Sequence, residues 1–430
     1  MISGPALFSV AETFDFSVLV LLAVFGLTAL RQVGSLRLQI WQIMFGGALA
    51  VLLSGKIGVL EALEAVDPDV MLFLFGMFVV GEGLNRSGYL EVLAGKLLGR
   101  ARSVDGLVLL LIFAAGGLSA LLMNDTVAIM GTPLVLELSR RYRLSPKLLL
   151  LALAFGVTTG SVMSPIGNPQ NLLIAVQSGF ENPFLVFFRY LGVATLLNLF
   201  VVYLVLRLGF SREFRKGPLE LFEAEITDPE LARASKFSLL LLLGLVACKV
   251  GVLFLAPELD FRLTWIALLA SLPVLLSRRR MEILKKLDWQ TLVFFASMFV
   301  LMQSVWDSGF FQGLLAVSGF DPTALPIIFL LSIGLSQLIS NVPFVALYLP
   351  TMGSFGASGV HCLALAAGST IAGNFMILGA ASNVIILQNA EKKGFNLSFF
   401  DFLSYGSIIT VLNTFIYLFL LNRSLSSGQI

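Results

Sequence analysis

Residues 164 to 171 read Ser164, Pro165, Ile166, Gly167, Asn168, Pro169, Gln170 and Asn171, a helix-breaking polar run inside one of the most apolar stretches of the chain. Proline removes a helix hydrogen bond and glycine weakens the helix, so this run predicts unwound backbone. In hydrocarbon, such backbone survives only where protein covers it or where it lines a cavity. Four interruptions of this kind fall into two pairs. A polar tip at Asn124, Asp125 and Thr126 goes with the break at Gly167, Asn168, Pro169, Gln170 and Asn171; a second tip at Ser340 and Asn341 goes with a break at Gly379, Ala380, Ala381, Ser382 and Asn383. A half-helix N-terminus offers free N–H groups and a positive dipole end to an anion, while unwound carbonyls coordinate a cation. Asparagine and serine side chains serve either sign of charge, and glycine lets backbone approach closely. The residue types therefore predict a small-anion or small-ion site, with Asn124, Asp125, Gly167, Asn341 and Gly379 as candidate Na+ contacts.

The elements that must position these residues are apolar. Of 430 residues, 57% are hydrophobic and 13% charged, and the mean hydropathy is +0.94, which predicts a polytopic membrane protein embedded in a lipid bilayer. A net charge of +2 gives no reason to expect a nucleic-acid partner. Cys248 and Cys362 form no CxxC or Cys/His pattern, so neither a disulfide framework nor structural zinc is expected. The absence of GKS/T, HExxH and GxSxG motifs argues against ATP hydrolysis, zinc hydrolysis and a serine nucleophile, so no enzyme and no cofactor beyond a coupling Na+ is predicted. The N-terminus lacks a basic n-region and a small-residue cleavage site, so the first apolar run is expected to be kept as a span.

Residues 67–95 align without a gap on 288–316: Asp67, Phe73, Met77, Phe78, Val79, Ser87, Gly88 and Leu93 recur as Asp288, Phe294, Met298, Phe299, Val300, Ser308, Gly309 and Leu314. Downstream, NDTVAIMGTP (124–133) parallels NVPFVALYLP (341–350), and IGNPQN (166–171) parallels LGAASN (378–383). Matches that keep their order indicate an internal duplication. Hydropathy places spans near 17–31, 38–55, 69–86, 183–207, 237–256, 262–277, 289–306 and 398–421, with an amphipathic segment at 88–103.

Hairpins are expected over 104–143, with arms 104–122 and 127–140, and over 322–358; broken spans are expected at 147–178 and 361–389. Lys96, Arg100 and Arg102 precede the first hairpin and Arg140, Arg141, Arg143 and Lys147 follow it, whereas 307–360 holds no lysine or arginine, so the two hairpins open from opposite sides. The predicted fold is an all-α polytopic membrane protein of two inverted repeats, 1–208 and 237–430, joined by a cytoplasmic linker, 209–236. Each repeat carries a re-entrant helical hairpin and a discontinuous helix, giving about ten full spans plus two hairpins.

Asp125 is a functional candidate because an ionisable residue in a membrane-embedded tip is costly to place there. It could bind Na+, exchange a proton or cap its helix. Glu82 and Arg86 are spaced as an internal i,i+4 pair, and Glu137, His361 and Cys362 read as structural. Lys249 is expected to snorkel.

At the tips and breaks the chain resembles the ion transporter superfamily, which includes divalent-anion/sodium symporters, citrate-type carriers, arsenite efflux permeases and a class of bacterial sodium/proton antiporters. The run NDTVAIMGTPLVLEL followed by SPIGNPQNLLI looks like the citrate-type and arsenite-permease branch. The second tip, SNVPFVALYLP, resembles the antiporter-like relatives, with Ser340 where those usually carry aspartate. The symporters carry Ser-Asn-Thr at both tips, where this chain has Met123, Asn124, Asp125, Thr126 and Ser340, Asn341, Val342. The resemblance implies a transport domain moving as a rigid body against a scaffold, in a homodimer, with the amphipathic segments 88–103 and about 308–321 as the linkers to that domain. The expected function is secondary active transport of a small anion coupled to Na+ or H+, in a prokaryotic cytoplasmic (inner) membrane. Asn124, Asp125, Thr126, Gly167, Asn168, Asn171, Ser340, Asn341, Gly379, Ala380, Ser382 and Asn383 would line the site. Arsenite or antimonite efflux and sodium/proton antiport are the rival readings, and a channel is the rival of another class.

Overall fold

The computed structural model describes residues 15–30, 32, 33, 36, 37, 39–98, 101–215, 226–255, 262–310, 313, 320–395 and 397–426. These residues are overwhelmingly helical. The first half runs α1 (Phe16–Leu30), α2 (Ile40–Leu53), α3 (Val59–Ala65), α4 (Pro68–Arg86), α5 (Tyr89–Leu98), α6 (Val104–Leu122), α7 (Asn124–Tyr142), α8 (Pro146–Ser161), α9 (Pro169–Gln177) and α10 (Pro183–Gly209). The second half runs α11 (Pro229–Leu255), α12 (Leu263–Leu275), α13 (Arg280–Lys286), α14 (Trp289–Asp307), α15 (Leu325–Ile339), α16 (Asn341–Ser354), α17 (Gly359–Phe375), α18 (Ala381–Lys392) and α19 (Phe399–Ser426). Among the described residues, six helices are long and apolar enough to cross a membrane: Pro68–Arg86, Val104–Leu122, Pro183–Gly209, Pro229–Lys249, Trp289–Asp307 and Phe399–Leu425.

Helix starts follow local chemistry. Asp67 accepts the N–H groups of Asp69 and Val70 ahead of Pro68, Ser103 accepts that of Gly106, Asn182 accepts that of Leu185 ahead of Pro183, and Asp288 accepts that of Thr291. Asp67 and Asp288, which align with each other in the sequence, thus both cap helices, α4 and α14.

Several elements depart from the sequence reading. The arm expected to begin at 127 begins at Asn124. The segment before the span expected at 237–256 is already helical from Pro229, so the last residues assigned to the linker are the first turns of α11. Asp228 causes this, accepting the N–H groups of Glu230 and Leu231 at 3.1 and 3.0 Å. Short helices α3 and α13 were not expected, nor was a two-stranded antiparallel ribbon, β1 (Gln32–Val33) with β2 (Leu36–Arg37), between α1 and α2. Of the amphipathic segment expected at about 308–321, residues 311, 312 and 314–319 lie outside the described residues, as do 216–225 of the expected linker.

The helices that precede the two breaks form the centre. Every residue of α8 from Leu148 to Ser161 is buried, as is α17 from Cys362 to Asn374, and these two helices pack on each other. α6 lies against α8 across a glycine seam: a Cβ at Gly160 would overlap the Gly116 backbone, and one at Gly156 would stand 3.0 Å from the Ile112 carbonyl oxygen. Small residues permit this approach where lipid offers no hydrophobic drive. Away from the centre, α4 presses Gly76 against α12, where a Cβ would be 2.7 Å from the Ala267 backbone.

Gly160→Ala should therefore lower the melting temperature of the purified protein, with an overpacking cost of about 1–3 kcal/mol. Gly117→Ala, whose added Cβ meets nothing within 4 Å, should leave it unchanged or slightly raised. Equal effects of the two substitutions would refute the seam.

Candidate functional site

Each tip is a single residue between two packed helices. α6 ends at Leu122, Met123 turns the chain at φ 70°, and α7 begins at Asn124; α15 ends at Ile339, Ser340 turns it at φ 69°, and α16 begins at Asn341. Left-handed φ at a non-glycine residue costs of the order of 1–3 kcal/mol, so both positions are held by their surroundings. In each case an asparagine becomes the first helical residue. Asn124 N–H donates to the Gly167 carbonyl at 2.8 Å, which joins the first tip to the first break. Its side-chain Oδ1 accepts the N–H of Asp125 at 2.9 Å. Asn124 and Thr126 are buried and Asp125 is half-buried. Gly81 of α4 closes over the tip, where a Cβ would lie 2.9 Å from the Thr126 methyl carbon.

The first break satisfies its own polar groups. Asn171 Nδ2 donates to the carbonyls of Ser161, Val162 and Ser164 at 3.2, 3.4 and 3.0 Å, and a Cβ at Gly167 would overlap the Ser161 carbonyl. Asn168 Oδ1 accepts the N–H of Asn171 at 2.8 Å and caps α9, while its Nδ2 donates to Ser161 Oγ at 3.0 Å and Thr370 Oγ1 at 3.1 Å. Thr370 Oγ1 in turn donates to Asn171 Oδ1 at 3.2 Å. One hydroxyl of α17 thereby ties the first break to the second broken span, and Asn374 Nδ2 ties α17 to α8 ahead of that break through Thr159 Oγ1 at 3.0 Å.

The second break is built differently. After α17 the chain makes one short 3-10 turn, Ile377–Gly379, and α18 starts at Ala381 with no side-chain cap from Ala380. Gly379 sits where a Cβ would be 2.7 Å from Gln337 Oε1 and 2.8 Å from the Ala372 carbonyl. Asn383 Nδ2 donates to the Gly373 carbonyl at 2.6 Å. Its Oδ1, Ser382 Oγ, Asn374 Oδ1 and the tip's Asn341 Oδ1 are all buried without a hydrogen-bond partner. The helices after the tips cross over: α7 packs on α18 and α16 packs on α9, so each arm lies against the far half's post-break helix.

Thr159, Gln337, Thr370 and Asn374 were not singled out in the sequence. The available signal was polar residues closing the most buried helices, TTGS at 158–161 and GSTIAGN at 368–374. Glu82 and Arg86 do pair, at 2.7 Å, and Arg86 also reaches Glu282 at 3.7 Å. Glu137 is exposed, and the His361 ring Nδ1 accepts the Ser358 N–H at 2.8 Å at the start of α17. Lys249 does not snorkel: it is buried, and its carbonyl accepts Asn182 Nδ2 at 2.9 Å.

The two breaks should respond differently to truncation. Asn171→Ala removes the side-chain bonds to three carbonyls and leaves that of Val162 without its side-chain donor, while those of Ser161 and Ser164 keep the N–H groups of Ser164 and Gly167; it should lower thermal stability by several degrees, a stranded buried group costing about 1–3 kcal/mol. Ser382→Ala removes a hydroxyl without a partner and should leave the melting temperature unchanged. A destabilised Ser382→Ala protein would contradict the asymmetry.

Comparison with known proteins fits this architecture. Residues 18–367 match the family model CitMHS, described as citrate transporter. An uncharacterized transporter of Mycobacterium tuberculosis is 28% identical over 369 residues, covering 81% of this chain and 84% of its own. The inner membrane protein YbiR of Escherichia coli is 28% identical over 333 residues, covering 76% and 82%. The P protein of Homo sapiens is 24% identical over 450 residues, covering 84% of this chain and 54% of its own. Among solved structures, the YdaH transporter of Alcanivorax borkumensis shares the fold, with a TM-score of 0.59 at 17% identity over 96% of this chain and 98% of that one. With the family model matching from residue 18 to residue 367, this chain belongs to the CitMHS citrate transporter family and is a membrane transporter, not an enzyme.

Proposed function

We propose that the chain is a secondary active transporter that moves a small anion, a carboxylate such as citrate in keeping with the family, together with Na+ or H+. The tips and breaks form the transport site. The observation that carries this reading is the set of partnerless buried oxygens around the second break: Asn341 Oδ1, Asn374 Oδ1, Ser382 Oγ and Asn383 Oδ1. A buried polar atom without a partner is costly, and in a functional site that cost is recovered when the ligand arrives. Neutral oxygens of this kind suit a hard monovalent cation. The uncapped start of α18 beside them presents free N–H groups and a positive dipole end to the anion. Cation and anion would then bind side by side, each lowering the charge the other must bring into the membrane.

The first break is closed by its own hydrogen bonds and would serve as the rigid counterpart. Alternating access of elevator type follows if the two broken spans, the tips and their arms move as one body. The cross-packing of α7 on α18 and α16 on α9, together with the hydrogen bonds of Thr370 and Asn374 to the first broken span, supports a single body. The matching tip conformations at Met123 and Ser340 support two inverted repeats. A homodimer in the prokaryotic inner membrane is part of the same reading, by likeness to the family. Asp125, half-buried in the first tip, favours sodium/proton antiport as the second reading, because that exchange needs a titratable group in the core.

Thermal stability of the purified protein against citrate, smaller dicarboxylates, sulfate, phosphate and arsenite, each with Na+ or choline, separates the readings. One anion should stabilise more strongly with Na+ present, by about 2.7 kcal/mol at a hundred times its dissociation constant. Stabilisation by Na+ or pH alone, with no anion effective, would overturn anion transport in favour of the antiporter. In proteoliposomes, Asn341→Ala should abolish uptake while the melting temperature holds. Asp125→Asn with retained uptake and a flattened pH profile would assign proton handling to Asp125, whereas loss of uptake together with Na+ dependence would assign it cation contact.

A further inference from the structure

The last helix of each half carries a buried asparagine that the site does not use. α10 and α19 pack antiparallel: Thr195 Oγ1 and the Tyr417 hydroxyl are 2.7 Å apart midway along α10, and Phe210 stacks on Tyr405 at 5.2 Å at the end of α10. Asn198 lies one turn beyond Thr195, and Asn413 one turn before Tyr417, so the antiparallel register brings the two asparagines to the same level of the seam. Both are fully buried. Asn198 has the Tyr417 hydroxyl beside it as a hydrogen-bonding neighbour, whereas neither the Nδ2 nor the Oδ1 of Asn413 has a partner, and Thr410 Oγ1, a turn below Asn413, is equally without one. Apolar residues at these places would cost nothing to bury, whereas each stranded amide costs about 1–3 kcal/mol and finds no relief in lipid.

The chemistry of the unpartnered atoms selects their occupant. A cation would engage oxygens alone and an anion N–H groups alone. Here the Asn413 amide nitrogen and oxygen and the Thr410 hydroxyl, beside an Asn198 amide that one Tyr417 hydroxyl cannot satisfy at both atoms, ask for donors and acceptors together, which is the demand water meets with its usual two to four partners. The polar stripe also continues. Gly406, Thr410, Asn413 and Tyr417 recur at helical spacing on one face of α19, and a Cβ at Gly406 would overlap the Asn374 carbonyl at the end of α17. One end of the stripe thus touches the second break and the other the Thr195–Tyr417 pair.

We propose that the α10–α19 seam is an internal hydration site, a short file of bound water running from Asn374 past Thr410 and the paired asparagines to Tyr417. It joins the closing helices of the two halves through water instead of dry packing, and it brings hydrogen-bonding capacity to the back of the second break without opening that break to bulk solvent. The inference does not depend on which ion or anion the site carries.

X-ray hydroxyl-radical footprinting of the full-length protein in nanodiscs tests it, because radiolysis of bound water oxidises adjacent side chains irrespective of bulk access. Tyr417 should be oxidised well above Phe187 and Phe402, which are equally buried on the same two helices, and the modification should retain ordinary oxygen after brief mixing with heavy-oxygen water. Asn413→Leu should abolish the Tyr417 signal, and Asn413→Ser, which keeps a donor and an acceptor, should retain it. Oxidation of Tyr417 no greater than that of the two phenylalanines in the unsubstituted protein would overturn the proposal and assign a direct Asn198–Asn413 pair instead. That comparison needs no variant to fold.

Discussion

A helix that stops and restarts inside a membrane leaves carbonyl and N–H groups that lipid cannot bond, and the arrangement of this chain follows from meeting that demand. At the first break a single amide, Asn171 Nδ2, holds three carbonyls, while Asn168 caps the restarted helix. The tip contributes by donating the Asn124 N–H to the Gly167 carbonyl. These bonds require that the broken spans be the most buried helices of the molecule, and α8 and α17 are buried along almost their whole length. Close approach then requires small residues, which explains the glycines at 116, 156 and 160.

The same demand, unmet, marks the other break. Two halves built on one sequence plan differ in how far their polar groups are satisfied: an asparagine caps α9, whereas alanine stands before α18, and the oxygens of Ser382 and Asn383 are left without partners. On the proposed reading, the satisfied break would supply rigidity and the unsatisfied one would receive the ligand. Thr370 and Asn374 bridge the two, so that a ligand bound at the second break, as proposed, would bear on residues already bonded to the first broken span. Thr370 reaches Asn171 and Asn168 directly, which makes the bridge one side chain thick.

How much of this could be read beforehand depended on the range of the interaction. Caps and proline starts are local, so Asp67 with Pro68, Asn168 with Pro169 and Asn182 with Pro183 announce where helices begin. Asp228 with Pro229 carries the same signal, yet hydropathy, which sees only apolarity, placed the start of α11 later. The charged helix α13 and the brief α3 escaped for the same reason. What the sequence hid was long-range. Thr370 and Asn171 are 199 residues apart in the chain, and nothing in either residue type reveals that one hydroxyl serves both breaks. The partnerless oxygens of the second break were equally hidden: Asn341, Ser382 and Asn383 are visible as polar residues, but whether an oxygen is satisfied depends on the packed surroundings.

In the proposed arrangement the two halves enter the membrane with opposite orientation, so that the tips approach the breaks from opposite faces. Single cysteines at the exposed bases of the two tip-bearing arms test this most directly, at Arg141 after α7 begins its last turn and at Ser354 at the end of α16, in a background with Cys248→Ser and Cys362→Ser. In sealed vesicles of known orientation, a membrane-impermeant thiol reagent should modify Arg141→Cys only from the cytoplasmic face and Ser354→Cys only from the outer face. Modification of both from the same face would contradict the inverted arrangement and with it the meeting of tips and breaks at the centre of the membrane.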